Sequence, residues 1–254
     1  MDKSYWNTVA KNYEDEIFSV FENDKNKLVV NRIKKLTNKK SIVSDIGCGI
    51  GGFIRPLASM AKTVHAYDIS SVCIDKAKEN HSDLDNIDYT LEDLSKERIV
   101  LPKAHFALCV NSIITPVTKD IHHIFDVVCK HLVINCHLVL VVPSLESVLL
   151  TYARLRDWNE RRRKASSQPI KDKVLTHKQT KSSSLKDGVV TIDGINTKHF
   201  LKEELIALLE SRKMKVLETE KIQYGWNTEF DHPPRWMKAP FPWDWMVVAK
   251  KIKS

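Results

Sequence analysis

Glycine is scarce in this sequence. It has seven in 254 residues, and four of them fall between positions 47 and 52. The five cysteines, at 48, 73, 109, 129 and 136, form no CxxC pair, which argues against a zinc site or a disulfide framework and for a reduced, cytoplasmic protein. No apolar run approaches the ~20 residues that a membrane span requires. The opening Met1-Asp-Lys-Ser-Tyr-Trp6 has no apolar signal-peptide core, so we expect neither membrane attachment nor export. No internal repeat is apparent. Charge is uneven: residues 154–186 hold eleven Lys/Arg against three Asp/Glu, a balance that equals the whole chain's net +8. A basic stripe of this kind is either a solvated helix face or a surface that steers an acidic partner.

What is present is concentrated around the glycines. Ser41-Ile-Val-Ser-Asp-Ile-Gly-Cys-Gly-Ile-Gly-Gly52 reads as a buried strand, a tight turn and the start of a helix near Phe53. Such a turn lets backbone approach a nucleotide-like ligand, and the helix start adds unpaired N–H groups. Gly47-x-Gly49-x-x-Gly52 satisfies the dinucleotide fingerprint, whose helix start receives a pyrophosphate. Asp45, two residues earlier, would face that anion. A ligand with a cationic amino-acid end fits the carboxylate better.

The pattern Asp45-x-Gly47-x-Gly49-x-Gly51 resembles the first motif of class I S-adenosylmethionine-dependent methyltransferases. Strand Thr63–Tyr67 then ends at Asp68, where an acidic residue accepts from both ribose hydroxyls. In the same register, Ile87–Thr90 precedes Glu92-Asp93-Leu94, and the resemblance gives Asp93, with Glu92 as its rival, to the adenine amine. Strand Ala104–Val110 ends at Asn111, beside the expected methyl-transfer position. The resemblance implies S-adenosylmethionine as cofactor, bound by Tyr13, Asp45, Gly47, Cys48, Gly49, Gly51, Asp68, Ile69, Asp93, Leu94 and Asn111. No metal ligands and no catalytic side chain stand out. Asn111-Ser-Ile-Ile114 stands where Asn-Pro-Pro-Tyr would mark a methyltransferase for base or glutamine amides. His122 and His123 fall in a helix's first turn, where capping and surface roles are usual.

The expected fold is one α/β domain: a doubly wound, mostly parallel seven-stranded sheet whose last strand is antiparallel. Residues 1–40 would form an N-terminal helical cover, with Trp6, Val9, Tyr13, Ile17 and Phe21 at helical spacing through residue 35. Residues 41–143 would be the cofactor-binding core and 201–254 its C-terminal part. Between them, 144–200 would be a substrate lid inserted after strand five. That insertion reads as a helix over Leu145–Lys164, a polar loop over 166–186 and a hairpin near 188–195. A turn at Asn135-Cys136 would lead into strand five, and Trp245–Lys251 would insert antiparallel between strands five and six. The aromatics of 226–243 read as core packing rather than a substrate cage. Three functions fit this reading. One is methyl transfer to the oxygen or nitrogen of a small molecule. The second is transfer to RNA or protein through the basic segment. The third is a binding protein that kept the fold without the chemistry.

Overall fold

The computed structural model describes residues 2–13, 17–165, 180–184, 187–192 and 194–253. Seven strands make the main sheet: β1 (Ile42–Ile46), β2 (Thr63–Asp68), β3 (Ile87–Leu91), β4 (Ala104–Val110), β5 (Leu132–Pro143), β9 (Met214–Gln223) and β10 (Trp243–Lys251). Their order across the sheet is β3-β2-β1-β4-β5-β10-β9. The first five pair in parallel, and β10 runs antiparallel to both β5 and β9. Chain order therefore reverses beside β1, and the crevice at such a reversal, at the carboxyl ends of the strands, is where ligands bind.

Helices cover both faces. α1 (Lys3–Val9), α2 (Val20–Asn23) and α3 (Leu28–Leu36) precede the sheet, followed by α4 (Ile54–Met60), α5 (Ser71–Asn80), α6 (Thr118–His131), α7 (Leu145–Ala165) and α8 (Lys202–Glu210). The central strands are apolar on both sides, as parallel strands between helical layers must be. On one face Cys109, Leu138, Leu140 and Val142 meet Phe125 and Val128 of α6 and Leu205 and Leu209 of α8. On the other, Val43, Phe106, Leu108, Val139 and Val141 meet Val29 and Ile33 of α3 and Leu57 of α4. Arg32 of α3 also reaches across to Glu218 and Glu220 of β9, at 2.6 and 2.7 Å.

A three-stranded sheet, β6 (Thr180–Ser184), β7 (Val189–Ile192) and β8 (Ile195–Lys198), follows α7. It docks on the main sheet through backbone: Lys198 N–H donates to Ile114 C=O (3.0 Å), and Phe200 N–H to Pro143 C=O (2.8 Å). The α7 face bearing Leu150, Leu155 and Trp158 packs on Trp226, Phe230, Met237 and Phe241. Trp226 and Phe230 of that connection are therefore core, as expected, whereas Trp236 is 37% exposed.

Several boundaries differ from the sequence reading. Among its described residues the stretch 1–35 forms α1, a 3₁₀ turn at Ala10–Asn12, α2 and α3 rather than one continuous face. β5 begins at Leu132, with no turn at 135–136. Instead Asn135 takes a left-handed φ of 68° within the strand, and the β4–β5 register shifts between Ala104 and Phe106. Residues 180–184, read as loop, form β6, while 166–179 and 185–186 of that loop lie outside the described residues. No helix among the described residues is long and apolar enough to cross a membrane.

Candidate functional site

The loop after β1 is bonded to the end of β2. Gly47 and Cys48 N–H both donate to Tyr67 C=O (2.8 and 2.9 Å), and Gly49 N–H donates to the Asp68 carboxylate (2.9 Å). Gly47 and Gly49 have φ of +70° and +54°, and neither position has room for a side chain. A Cβ would overlap the Ser112 hydroxyl at Gly47 and the Tyr13 hydroxyl at Gly49. Ser112 itself donates to Ile46 C=O (2.7 Å), so the tip of β4 is tied to the glycine loop.

A cavity of about 440 Å³ opens above this loop. Of the expected residues, Tyr13, Asp45, Gly47, Cys48, Gly49, Asp68, Ile69, Asp93, Leu94 and Asn111 line it. Gly51 does not. Its α carbon turns toward the ring of His81 on the far side, whose Nε2 lies 2.8 Å from the Gly51 carbonyl, and Gly52 takes its place on the wall. Neither His122 nor His123 reaches the cavity. His122 lies 3.1 Å from Arg212, and His123 2.7 Å from Lys96 C=O.

Asp45 is 3% exposed, and its Oδ2 has no hydrogen-bond partner. Burial, and then the neighbouring charge of Asp68, pushes its carboxyl up to about 7. Burial also raises Asp68, against the N–H groups of Ser70 and Gly49 that stabilise its charge. Ser70 separately caps α5 by accepting from Cys73 N–H, so Asp68 is not required for that task. Asp93 Oδ1 accepts from Ser95 N–H and Oγ (3.0 and 2.6 Å), while Glu92 Oε1 accepts from Asp93 N–H. Both acidic residues line the cavity, as the sequence left open.

The N-terminal segment lies over the cavity. Trp6, Tyr13, Phe18 and Phe21 line it, and Asn7 and Lys11 hold the segment to α5 through Ser70 and Lys76. Burial, followed by the nearby Cys73 and Asp68, raises the Tyr13 phenol further from ionisation. Beyond the carboxyl ends of β4 and β5 the wall is Ile114, Thr115, Asp120, Ile124, Pro143 and Thr197. Sequence reading missed these, together with Ser112 and Glu22. They come from separate segments, and no local pattern marks them.

A sheet reversed beside β1, with a glycine turn after its first strand and carboxylates at the ends of the first three, is the architecture of class I S-adenosylmethionine-dependent methyltransferases. The chain shares that fold. Residues 43–135 match the family model for the methyltransferase domain. Among solved structures, magnesium protoporphyrin IX methyltransferase from Synechocystis PCC 6803, with bound S-adenosylhomocysteine, aligns at TM-score 0.64 and 14% identity, covering 98% of this chain and 97% of that one. A Methanosarcina mazei methyltransferase aligns at 0.59 and 18%, covering 87% and 97%. The N-methyltransferase NodS from Bradyrhizobium japonicum WM9 aligns at 0.58 and 13%, covering 92% and 88%. No curated protein matches the sequence. The site suits S-adenosylmethionine: a buried carboxylate oxygen of Asp45 lacks a partner, and Gly47, Gly49 and Gly52 line the cavity beside it.

Proposed function

We propose that this enzyme methylates a small molecule at oxygen or nitrogen. The observation that carries the reading is the covered cavity: the N-terminal segment supplies one wall and Thr197, from the insertion after β5, another. A cavity of about 440 Å³ suits a cofactor with a small acceptor rather than a folded macromolecule. Residues 1–40 then act as cover, and the 144–200 insertion as part of a lid.

When bound, S-adenosylmethionine supplies a methyl group already activated by its sulfonium. The chain's part is binding, orientation and exclusion of water. Asp45 would hold the cofactor ammonium, the cation its unpartnered oxygen lacks. Asp68 would accept from the ribose hydroxyls, exchanging or sharing its bond to Gly49 N–H. Asp93 or Glu92 would meet the adenine amine. Asn111, at the tip of β4, borders the acceptor side.

The competing reading, transfer to RNA or protein through residues 154–186, draws on their charge. The arginines at the end of α7 are not among the residues that line the cavity. Arg161 is 16 residues along α7 from Leu145, about 24 Å at 1.5 Å per residue. Its guanidinium lies over the Trp236 ring at 4.3 Å and beside Asp157 at 3.4 Å. The experiment is a cell extract offered with radiolabelled S-adenosylmethionine and then separated by size. Label in the low-mass fraction is expected, and label in RNA or protein would overturn the small-molecule reading. Calorimetry checks the cofactor, with S-adenosylhomocysteine binding at micromolar levels and NAD not at all.

A further inference from the structure

The chain carries a net charge of +8, yet its cavity is acidic. Six carboxylates line it (Glu22, Asp45, Asp68, Glu92, Asp93 and Asp120) and, among the described residues, no Lys, Arg or His does. Low-dielectric walls focus such a field, so the cavity concentrates cations and repels anions. Asp45 and Asp68, with Glu92 and Asp93, lie at the ends of β1, β2 and β3, the cofactor side. Asp120 lies elsewhere. It sits in the first turn of α6, across β4 from the glycine loop, with Ile124, Thr115, Pro143 and Thr197. Its carboxylate has no hydrogen-bond or ion-pair partner among the described residues.

A second group on this side also lacks a partner. Asn111 Nδ2 donates to Asp244 Oδ2 at 3.0 Å, and Tyr224 donates its hydroxyl to the same oxygen at 2.9 Å. An ionised carboxylate only accepts, so this contact fixes which end of the amide faces Asp244. The Asn111 carbonyl oxygen is left buried with no partner. Two hydrogen-bond acceptors near the acceptor side, one of them charged, call for a ligand rich in N–H. The aromatic residues Trp6, Phe18 and Phe21 on the cover add surfaces that favour a cation over an anion.

We propose that the methyl acceptor is an amine, and that Asp120 binds its ammonium form while Asn111 takes an N–H. The inference rests on the methyltransferase reading and narrows its substrate class. The bound ammonium releases one proton to solvent. The neutral nitrogen then attacks the methyl carbon, the carbon–sulfur bond breaks with its electron pair staying on sulfur, and an N-methylammonium and S-adenosylhomocysteine result. Carboxylic acids and phosphorylated acceptors are disfavoured, because no described cation in the cavity would offset their charge.

The test uses three probes of one shape, phenethylamine, phenethyl alcohol and phenylacetate, titrated by NMR into the full chain saturated with S-adenosylhomocysteine. The amine is expected to bind about tenfold more tightly than the alcohol, and the acid not to bind. In Asp120→Asn the amine should fall to the level of the alcohol, while S-adenosylhomocysteine affinity and melting temperature are retained. Equal binding of amine and alcohol, binding of the acid, silence from all three, or an unchanged ratio in Asp120→Asn would each overturn the proposal. A protein that does not bind S-adenosylhomocysteine at all refutes the cofactor reading instead, so the two failures are distinguishable.

Discussion

Asp45→Asn separates the folding cost of the site from its function. Burial, and then the charge of Asp68, pushes the Asp45 carboxyl up to about 7 from an ordinary 3.8. A folded value above the unfolded one means that its stabilising contribution is whole below about pH 4 and is lost as pH rises through 7. At about 1.4 kcal/mol per unit, burying this carboxyl costs the folded state about 4 kcal/mol at pH 8, where it is charged, and about 2 kcal/mol at pH 5, where folding must take up a proton. Asparagine has nearly the same shape and cannot ionise. The variant should therefore be the more stable protein, by about 4 kcal/mol at pH 8 and about half that at pH 5. In a chain of this size that is a rise in Tm of the order of 10 °C at pH 8. Binding should move the other way: losing a charge-assisted bond to the cofactor ammonium weakens S-adenosylhomocysteine by about 2–3 kcal/mol. Thermal unfolding of both proteins from pH 5 to 8, with and without S-adenosylhomocysteine, reads all of this. A variant no more stable than wild type at pH 8, or a difference that ignores pH, would refute the argument that a buried, uncompensated charge resides at Asp45.

Other changes probe the rest of the site. Gly49→Ala places a methyl group on the Tyr13 hydroxyl at a φ of +54°, so calorimetry should find S-adenosylhomocysteine binding weakened by more than tenfold, with Tm lowered by the strain. Neutralising Arg161, Arg162, Arg163 and Lys164 together should leave kcat/KM for a small acceptor unchanged at low and high salt. Their distance of about 24 Å along α7 exceeds the screening length of about 10 Å at 0.1 M. A salt-dependent rise in KM would return an electrostatic role to that cluster. Hydrogen exchange over residues 2–13 should slow when S-adenosylhomocysteine is added, because the cover is held to α5 by a few polar contacts. Equal protection in both states would make it static packing.

The parts of the site that could be read in the sequence were those written within a few residues of one another. Asp45 and the glycines form one local pattern, and Asp68 and Asp93 follow at strand ends whose apolar runs are short and clear. The orientation of Gly51 was not legible, because it depends on His81, thirty residues later and brought back by α5. Asp120 and Thr197 were hidden for a related reason: only the sheet order and the docking of β8 on Ile114 bring them to one wall. In the fold, β6 escaped notice because Thr180–Ser184 carries no apolar alternation, although it pairs antiparallel with β7. The start of β5 was misplaced because Asn135 looks like a turn residue. It does adopt turn-like dihedrals, but a bent strand accommodates them.

The placing of β10 has a consequence for how the chain is made. β9 leaves the ribosome before β10, yet it has no strand of the sheet to pair with until β10 fills the gap beside β5. Until then the nascent protein displays the open flank of β5, with Leu138, Leu140 and Val142, as a bare template for any passing strand. Synthesis that stalls before residue 243 should thus yield a sticky five-stranded intermediate rather than a smaller working enzyme. Supplying the segment 243–251 as a separate peptide should suppress its aggregation, in the way a missing stave closes a barrel.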